Sequence, residues 1–458
     1  MKYFQFLILI LIVYSNNALA ESYYVSKNNG SDKNSGLSWQ EAWKTLIYAG
    51  NIAEAGDVVN IRKSNENYRY LRVMNSGSEG APIVFRGEDI NNPPVLSGGK
   101  QLKSWENDGE NIWKHHFANK MSVFLKKNGM FFEDGKPVKQ ASDQFLTDGQ
   151  WYLKDNMLLY RPTEGTPTSH VVKVIVSGSG VMIHDKNWVV IDNIICNIGP
   201  GSCVSIKRGN YNKISNVVAR WNWRGIDITD NSNGNTVVDS EFYFNREGLY
   251  IRNNSSFNSV FNCIAKYNGT LPLWKDNDRH AVAIGEDGPN IGNKVIGCEV
   301  AYNGGPPDNV ALITFRGPDT IFENNNVHHN YGSGLFVTTD SDNTVVINNS
   351  VSSNGNKAVE KNIKGIAGLS IRNSKGVYVG GNRIVDNYVS NDSVYKNIYV
   401  GKHGGLDIEG AYRANMTGII LQDNLIKGTL GGPDLNISKR PKLDDIQIVN
   451  TPQLENVE

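Results

Sequence analysis

The sequence predicts an all-β chain wound as a β-solenoid of parallel strands, and three observations carry that prediction. A five-residue pattern with apolar second and fourth positions recurs, starting at Gly225, Gly248, Ala281, Val310, Gly334, Gly368 and Gly405. Period two is the signature of a half-buried strand. The starts are 23, 33, 29, 24, 34 and 37 residues apart, so the short spacings fit one coil and the long ones fit coils with inserted loops. A second strand series runs between them, from Asn235-Thr236-Val237-Val238 through Asn258-Ser259-Val260-Phe261 to Asn343-Thr344-Val345-Val346. Finally, one Asn stands at the turn before each first strand: Asn222, Asn245, Asn268, Asn303, Asn330, Asn354 and Asn387. Stacked amides there satisfy one another and the buried turn backbone, so these asparagines are structural. An α-solenoid needs a period of 3.6, which is absent.

The elements follow in chain order. Residues 1–20 form a signal peptide: Lys2, an apolar run from Phe6 to Tyr14, then Ala18-Leu19-Ala20 before Glu21. That run is short for a membrane span. Residues 21–100 are an N-terminal cap with the first coils. Residues 101–170 break the pattern. They carry Trp105, Trp113 and Trp151 and the hairpin signals Asn128-Gly129, Asp134-Gly135 and Asp155-Asn156, hence a β-rich insertion with its tryptophans in a core. Residues 171–430 are the solenoid, with Ile226, Leu249, Ile251, Val282, Ala311 and Leu335 facing inward. Residues 431–458 lack the repeat and form a tail or cap.

The mature start, Tyr23-Tyr24-Val25-Ser26, Gly30-Ser31-Asp32 and Gly36-Leu37-Ser38-Trp39, resembles the cap of many right-handed parallel β-helix proteins. Trp43-Lys44-Thr45-Leu46 and Ala55-Gly56-Asp57-Val58-Val59 extend the likeness. With the repeat, the chain resembles the large class of secreted, carbohydrate-active β-helix proteins. That resemblance implies a right-handed parallel β-helix, a secreted or periplasmic location and a polysaccharide partner. The class contains lyases, epimerases, hydrolases and non-catalytic binders, so fold alone does not choose among them.

Composition narrows the partners. Lys plus Arg and Asp plus Glu are each 46, so the net charge is zero and nothing points to nucleic acid or a polybasic membrane patch. The chain is 39% hydrophobic, with 46 Gly and 58 Asn, which suits many tight turns between short strands. A monomer is expected. Four cysteines are too few for a disulfide scaffold. Cys263 and Cys298 lie at equivalent positions of adjacent coils and are expected to be reduced, buried and stacked.

A β-helix presents its chemistry in outward columns. The third positions of the first strand series are Ser205, Asp227, Tyr250, Ala283, Leu312, Phe336, Ser370 and Asp407; the fifth include Lys207, Thr229, Arg252, Gly285 and Arg372. Small Ala283 and Gly285 beside Asp227, Tyr250 and Arg252 predict a depression. Trp223-Arg224, Arg246-Glu247 and Arg279-His280 enter it, and the inserted segments at Leu271–Asp278 and Gly304–Pro307 wall it. The residues offer anionic-sugar chemistry. Elimination or C5 epimerisation of a uronate needs a cation on the carboxylate and proton-transfer groups at the ring. Arg224, Arg246, Arg252 and Arg279, with Trp223 and Trp274, are candidate substrate-binding residues. His280, Tyr250, Lys275 and Asp227 are candidate catalytic residues. Asp278-Arg279-His280 resembles the Asp-Pro-His triplet of alginate epimerases, with Arg in place of the central Pro. Hydrolysis instead needs two carboxylates, and Asp227 has Glu247, Asp276 and Asp278 as possible partners. Asp276 and Asp278 are also a weak candidate site for Ca²⁺; no cofactor is otherwise indicated. His328 and His329 are read as facing opposite sides of a turn.

Overall fold

The structure is a computed structural model that describes residues 20–117, 125, 130–175, 178, 180–270, 280–304, 310–355, 367–387, 398–401, 419–427, 435–437 and 446–451. The proposed signal peptide therefore lies outside the described residues, Ala20 excepted.

Thirty strands join in one parallel ladder system, a right-handed parallel β-helix. Each coil contributes a strand to each of three faces. The first face runs from Ser22–Val25, Val58–Ile61 and Ile83–Gly87 through residues 189–192 and 213–215 to Thr236–Val238 and beyond. The second passes through Val95–Ser97, Glu241–Tyr243 and Ile264–Lys266. The third holds Gly180–His184, residues 204–207 and 224–228, Glu247–Arg252, Val282–Gly285, Val310–Phe315, Ser333–Thr338 and Leu369–Arg372.

Alternation along the third face sends Ile226, Leu249, Ile251, Val282, Ile284 and Leu335 into a continuous dry core. One register expectation is corrected. Val282 pairs with Leu312, so Leu312 and not Ala311 continues the inner stack, and Ile313 takes the outward position beside Ala283. The run Val310–Ile313 is apolar throughout, so alternation alone leaves its inward positions open, and the pairing with Val282 and Leu335 sets them. Further on, Ser370 pairs with Tyr399, and Asp407 lies outside the described residues.

The asparagine turn forms as expected. Asn245 Nδ2 donates to Asn268 Oδ1 (3.1 Å), Asn268 to Asn303 (3.0 Å) and Asn303 to Asn330 (3.0 Å), and the ladder continues through Asn354 to Asn387. Each amide also reaches a backbone carbonyl of a preceding coil, such as Phe242 from Asn268 (2.8 Å). A parallel ladder occupies the next turn, from Asn212 through Asn235 and Asn258 to Asn293.

Two sheets stand apart from the coils between Gly99 and Ile175, one of four strands and antiparallel, the other of five strands and antiparallel except where Lys139–Gln140 pairs in parallel with Gln150–Lys154. Trp151, Tyr160, Phe131 and Leu158 form their core, with Trp105 packed at its side. Asp134 and Gly135 adopt left-handed φ of 49° and 77°, the conformation a two-residue hairpin turn requires. At the other end, Leu435–Ile437 and Ile446–Val449 pair in parallel with the preceding coil. The solenoid thus continues into the segment expected to be a tail. Short strands without the five-residue signature hid it.

Cys196 and Cys203 form a disulfide with Cα atoms 5.3 Å apart, a bridge that a low cysteine count does not suggest. Cys263 and Cys298 are free and buried, and the Cys263 N–H points at the Cys298 sulfur (3.4 Å). Among the described residues no helix is long and apolar enough to cross a membrane.

Candidate functional site

On the third face the outward column reads Ser205, Asp227, Tyr250, Ala283, Ile313, Phe336 and Ser370. The parallel register brings Asp227, Tyr250 and Ala283 side by side on three successive coils. Around them the charged side chains form one chain of ion pairs. Arg246 and Arg224 each hold one oxygen of Glu247. Arg224 Nη1 lies 3.6 Å from Asp227, and Arg252 grips Asp227 through Nε (3.0 Å) and Nη2 (3.3 Å). The far edge of Arg252 donates to Glu286 (2.9 Å).

Tyr250 sits inside this chain. Its ring lies under the Arg224 guanidinium at 5.1 Å and near that of Arg252 at 5.9 Å. Cations over an aromatic face are attracted to its quadrupole. Arg246 lies 4.4 Å from the Trp223 ring. Trp223 and Trp221 in turn pack against Met130, Phe132, Ile175 and Ile198, so the insertion is seated on the edge of this site.

The anticipated depression is filled. Tyr250, Ala283, Val310 and Ile313 form a buried outer cluster with Phe336 packed on it. A Cβ on Gly285 would meet its neighbours at ordinary van der Waals distance, 3.7 Å from the Tyr250 hydroxyl and 3.4 Å from Phe315, so the hydroxyl lies directly beside Gly285. His280 is buried at the same corner, with Nδ1 3.3 Å from the Val310 carbonyl. Glu247 is fully buried; desolvation pushes its carboxyl up, opposed by Arg224 and Arg246 and, more weakly, by His280. A carboxylate with both oxygens on arginines works as a brace that fixes the two guanidiniums.

Of the residues singled out from sequence, the structure thus brings together Asp227, Tyr250, Arg224, Arg246, Arg252, Trp223 and His280. Trp274, Lys275, Asp276, Asp278 and Arg279 lie outside the described residues, and the Ca²⁺ site proposed on Asp276 and Asp278 lies there with them. Glu286 was missed because it follows the strand, in a left-handed residue with φ 61°, where period two no longer predicts direction.

His328 and His329 are corrected as well: their Nδ1 atoms meet at 2.8 Å, and His328 Nε2 reaches Glu299 at 3.1 Å. His329 ends an aromatic stack of Trp221, Phe244, Tyr267 and Tyr302, with centroids 4.5–5.4 Å apart. Each of these five residues directly precedes a ladder asparagine. That signal was readable in the sequence.

The comparisons agree on fold. No protein-family model matches the chain. A lacto-N-biosidase of Bifidobacterium longum subsp. longum is 32% identical over 113 residues, which is 23% of this chain. The chain spans only 7% of that relative's length. A solved complex of XylC with xylose has a TM-score of 0.62 at 12% identity, covering 94% of this chain and 86% of that one. A glycoside hydrolase structure gives 0.54 at 12% identity, covering 90% and 97%. The A-module of the mannuronan C-5 epimerase AlgE4 of Azotobacter vinelandii gives 0.51 at 13% identity, covering 94% and 96%. The neighbours are parallel β-helix, carbohydrate-active proteins. At these identities the likeness establishes the architecture.

Proposed function

We propose that the chain is an exported, secreted or periplasmic enzyme acting on a uronate-containing polysaccharide by β-elimination or C5 epimerisation, with Tyr250 as its proton-transfer group. The observation that carries this is the Tyr250 ring within 5.1 Å of the Arg224 guanidinium and 5.9 Å of that of Arg252. In elimination the base takes the C5 proton, the C4–O bond breaks, a C4=C5 double bond forms and the leaving oxygen is protonated. The carbanionic charge delocalises onto the uronate carboxylate, where a guanidinium stabilises it. Arg224 is placed to supply that guanidinium, because its Nε and Nη1 face Glu247 and Asp227 while Nη2 has no hydrogen bond to the described residues. Asp227 and Glu247 then act as positioning residues for the cations. His280, at the same corner, supplies or relays the second proton. Return of the proton to the opposite face of C5 without loss of the leaving group is epimerisation.

Hydrolysis is a second reading, favoured by one observation. Asp227 and Glu247 share Arg224, so two carboxylates stand on one guanidinium. The local match to a lacto-N-biosidase fits it too.

A panel of acidic and neutral polysaccharides separates the two. Each digest is assayed for ultraviolet-absorbing unsaturated ends, for new reducing ends, and for solvent deuterium at C5. Unsaturated ends or C5 deuterium on an acidic glycan, lost in Tyr250→Phe, is the expected result. Reducing ends alone, lost in Asp227→Asn, would transfer the assignment to hydrolysis.

A further inference from the structure

A groove of about 440 Å³ lies on the first face, at the amino-terminal end. The Tyr250 site lies on the third face. The volume is in the range of small-ligand sites. Its floor is an outward column set by register: Tyr24 pairs with Asn60, Asn60 with Arg86, and Arg86 with Asp192. Trp39, from the cap, forms a wall, and Ile90, 60% exposed, forms part of the rim.

The polar atoms are held in place by partners that leave specific ends open. Arg86 Nε donates to Asn60 Oδ1 (2.9 Å), and Asn60 Nδ2 donates to the Tyr23 carbonyl (3.2 Å). Arg86 is thereby oriented, while its Nη1 and Nη2 have no hydrogen bond to the described residues. Asp192 Oδ1 accepts from Ser215 (2.7 Å) and Asn216 (2.8 Å), which leaves Oδ2 without a donor among the described residues. The other charged wall, Glu88, is closed by Arg62 through two bonds of 2.7 and 2.9 Å. Arg62 also covers the Trp39 ring at 3.8 Å.

A donor fork and a carboxylate oxygen on adjacent coils, beside two aromatic residues and an exposed Ile, match the chemistry of a sugar. Each hydroxyl both donates and accepts, and the C–H face of a pyranose is apolar. Arg86 and Asp192 cancel in charge, as do Arg62 and Glu88, so the groove offers an anion no net attraction. We propose that this groove is a non-catalytic binding site for a neutral sugar unit of a glycan, separate from the Tyr250 site. It would hold a polymer on the amino-terminal coils independently of turnover.

Affinity electrophoresis of the full chain tests this, in gels containing xylan, mixed-linkage β-glucan or galactomannan as neutral probes and alginate as the anionic one. At least one neutral glycan should retard the chain. Arg86→Ala and Ile90→Asp, both at exposed positions, should weaken that retardation tenfold or more at an unchanged melting midpoint, and Tyr250→Phe should leave it intact. Retardation by no neutral glycan, by alginate alone, or undiminished in both folded groove variants would overturn the proposal.

Discussion

Tyr250 packs against two arginines and lies beside a glycine. Its ring is buried between coils, and its hydroxyl lies beside Gly285 on the next coil. Tyr250→Phe removes only that oxygen, so turnover on a substrate found by the panel should fall by about 10²–10⁴-fold. The melting midpoint should barely move. His280→Ala should cost turnover two orders of magnitude or more on the same substrate, if the imidazole takes part in proton transfer. A folded His280→Ala variant with full activity would assign His280 to the corner's packing alone. One residue on from Tyr250, Ile251 points the other way, into the dry core. Ile251→Asp would bury an unpaired charge there and should destabilise by more than about 4 kcal/mol, read as loss of the folded chain at expression temperature. Opposite roles for neighbours at 250 and 251 were legible from period two alone. Glu286 was not, because its direction depends on a turn residue with positive φ.

At the level of the turn, the unit of stability is a ladder rather than a residue. Asn268 Oδ1 accepts from the Asn245 N–H (3.0 Å) and side chain (3.1 Å), while its own Nδ2 serves Phe242 (2.8 Å) and Asn303 (3.0 Å). Asn268→Ala therefore orphans buried groups on both neighbouring coils. Each unsatisfied group costs about 1–3 kcal/mol, so a multi-degree drop in melting midpoint is expected, against almost none for an exposed asparagine outside the left-handed region such as Asn28. The seven ladder asparagines were visible in the sequence because spacing alone defines them. The cysteines show where spacing misleads. Cys263 and Cys298 stand in another ladder, where the Cys298 N–H donates to Asn325 Oδ1 (3.0 Å), so sulfur replaces an amide as stacked filler. The contact with Cys298, together with burial, pushes the Cys263 thiol well up, so it stays protonated. Cys196 and Cys203 are only seven residues apart, but the chain bends between them and their Cα atoms meet within bridging distance. Peptide mapping without reductant should recover a linked Cys196–Cys203 pair and unlinked Cys263 and Cys298.

Across the whole molecule, the repeat specifies the solenoid and the insertion gives it an end-specific face. Hydrophobic periodicity could locate the insertion but not its seat, because Met130, Phe132, Trp221 and Trp223 meet only through tertiary packing. The same holds for a polar clamp that ties the insertion's Asp134 hairpin to the chain near its return. His170 Nδ1 lies 2.7 Å from the Asp134 carboxylate and Nε2 lies 2.8 Å from the Glu164 carbonyl. Both partners are acceptors, so both ring nitrogens must donate, and the clamp holds an imidazolium. Glu133 stands 3.6 Å from the same Nδ1 and accepts from Tyr160 and Thr163, and Lys136 also faces Asp134. Asp134 and then the Glu164 carbonyl raise His170, while His170 and the Val171 N–H hold Asp134 below the usual carboxylate range. For the raised histidine, the stabilising contribution is complete below its unfolded value of 6.5 and is lost as pH rises through the higher folded value. For the depressed Asp134, it is complete above the unfolded value of 3.8 and is lost as pH falls through the lower folded value. The clamp is therefore tightest between those two unfolded values. Hydrogen exchange at the hairpin strands Phe131–Glu133 and Lys136–Pro137 should quicken, beyond the intrinsic base catalysis of exchange, as pH is raised from about 6 to 9. In His170→Gln the hairpin should already be loosened at low pH and show no such extra step. An intrinsic-corrected exchange profile that is flat in the unaltered chain would mean that His170 is not charged in the folded state.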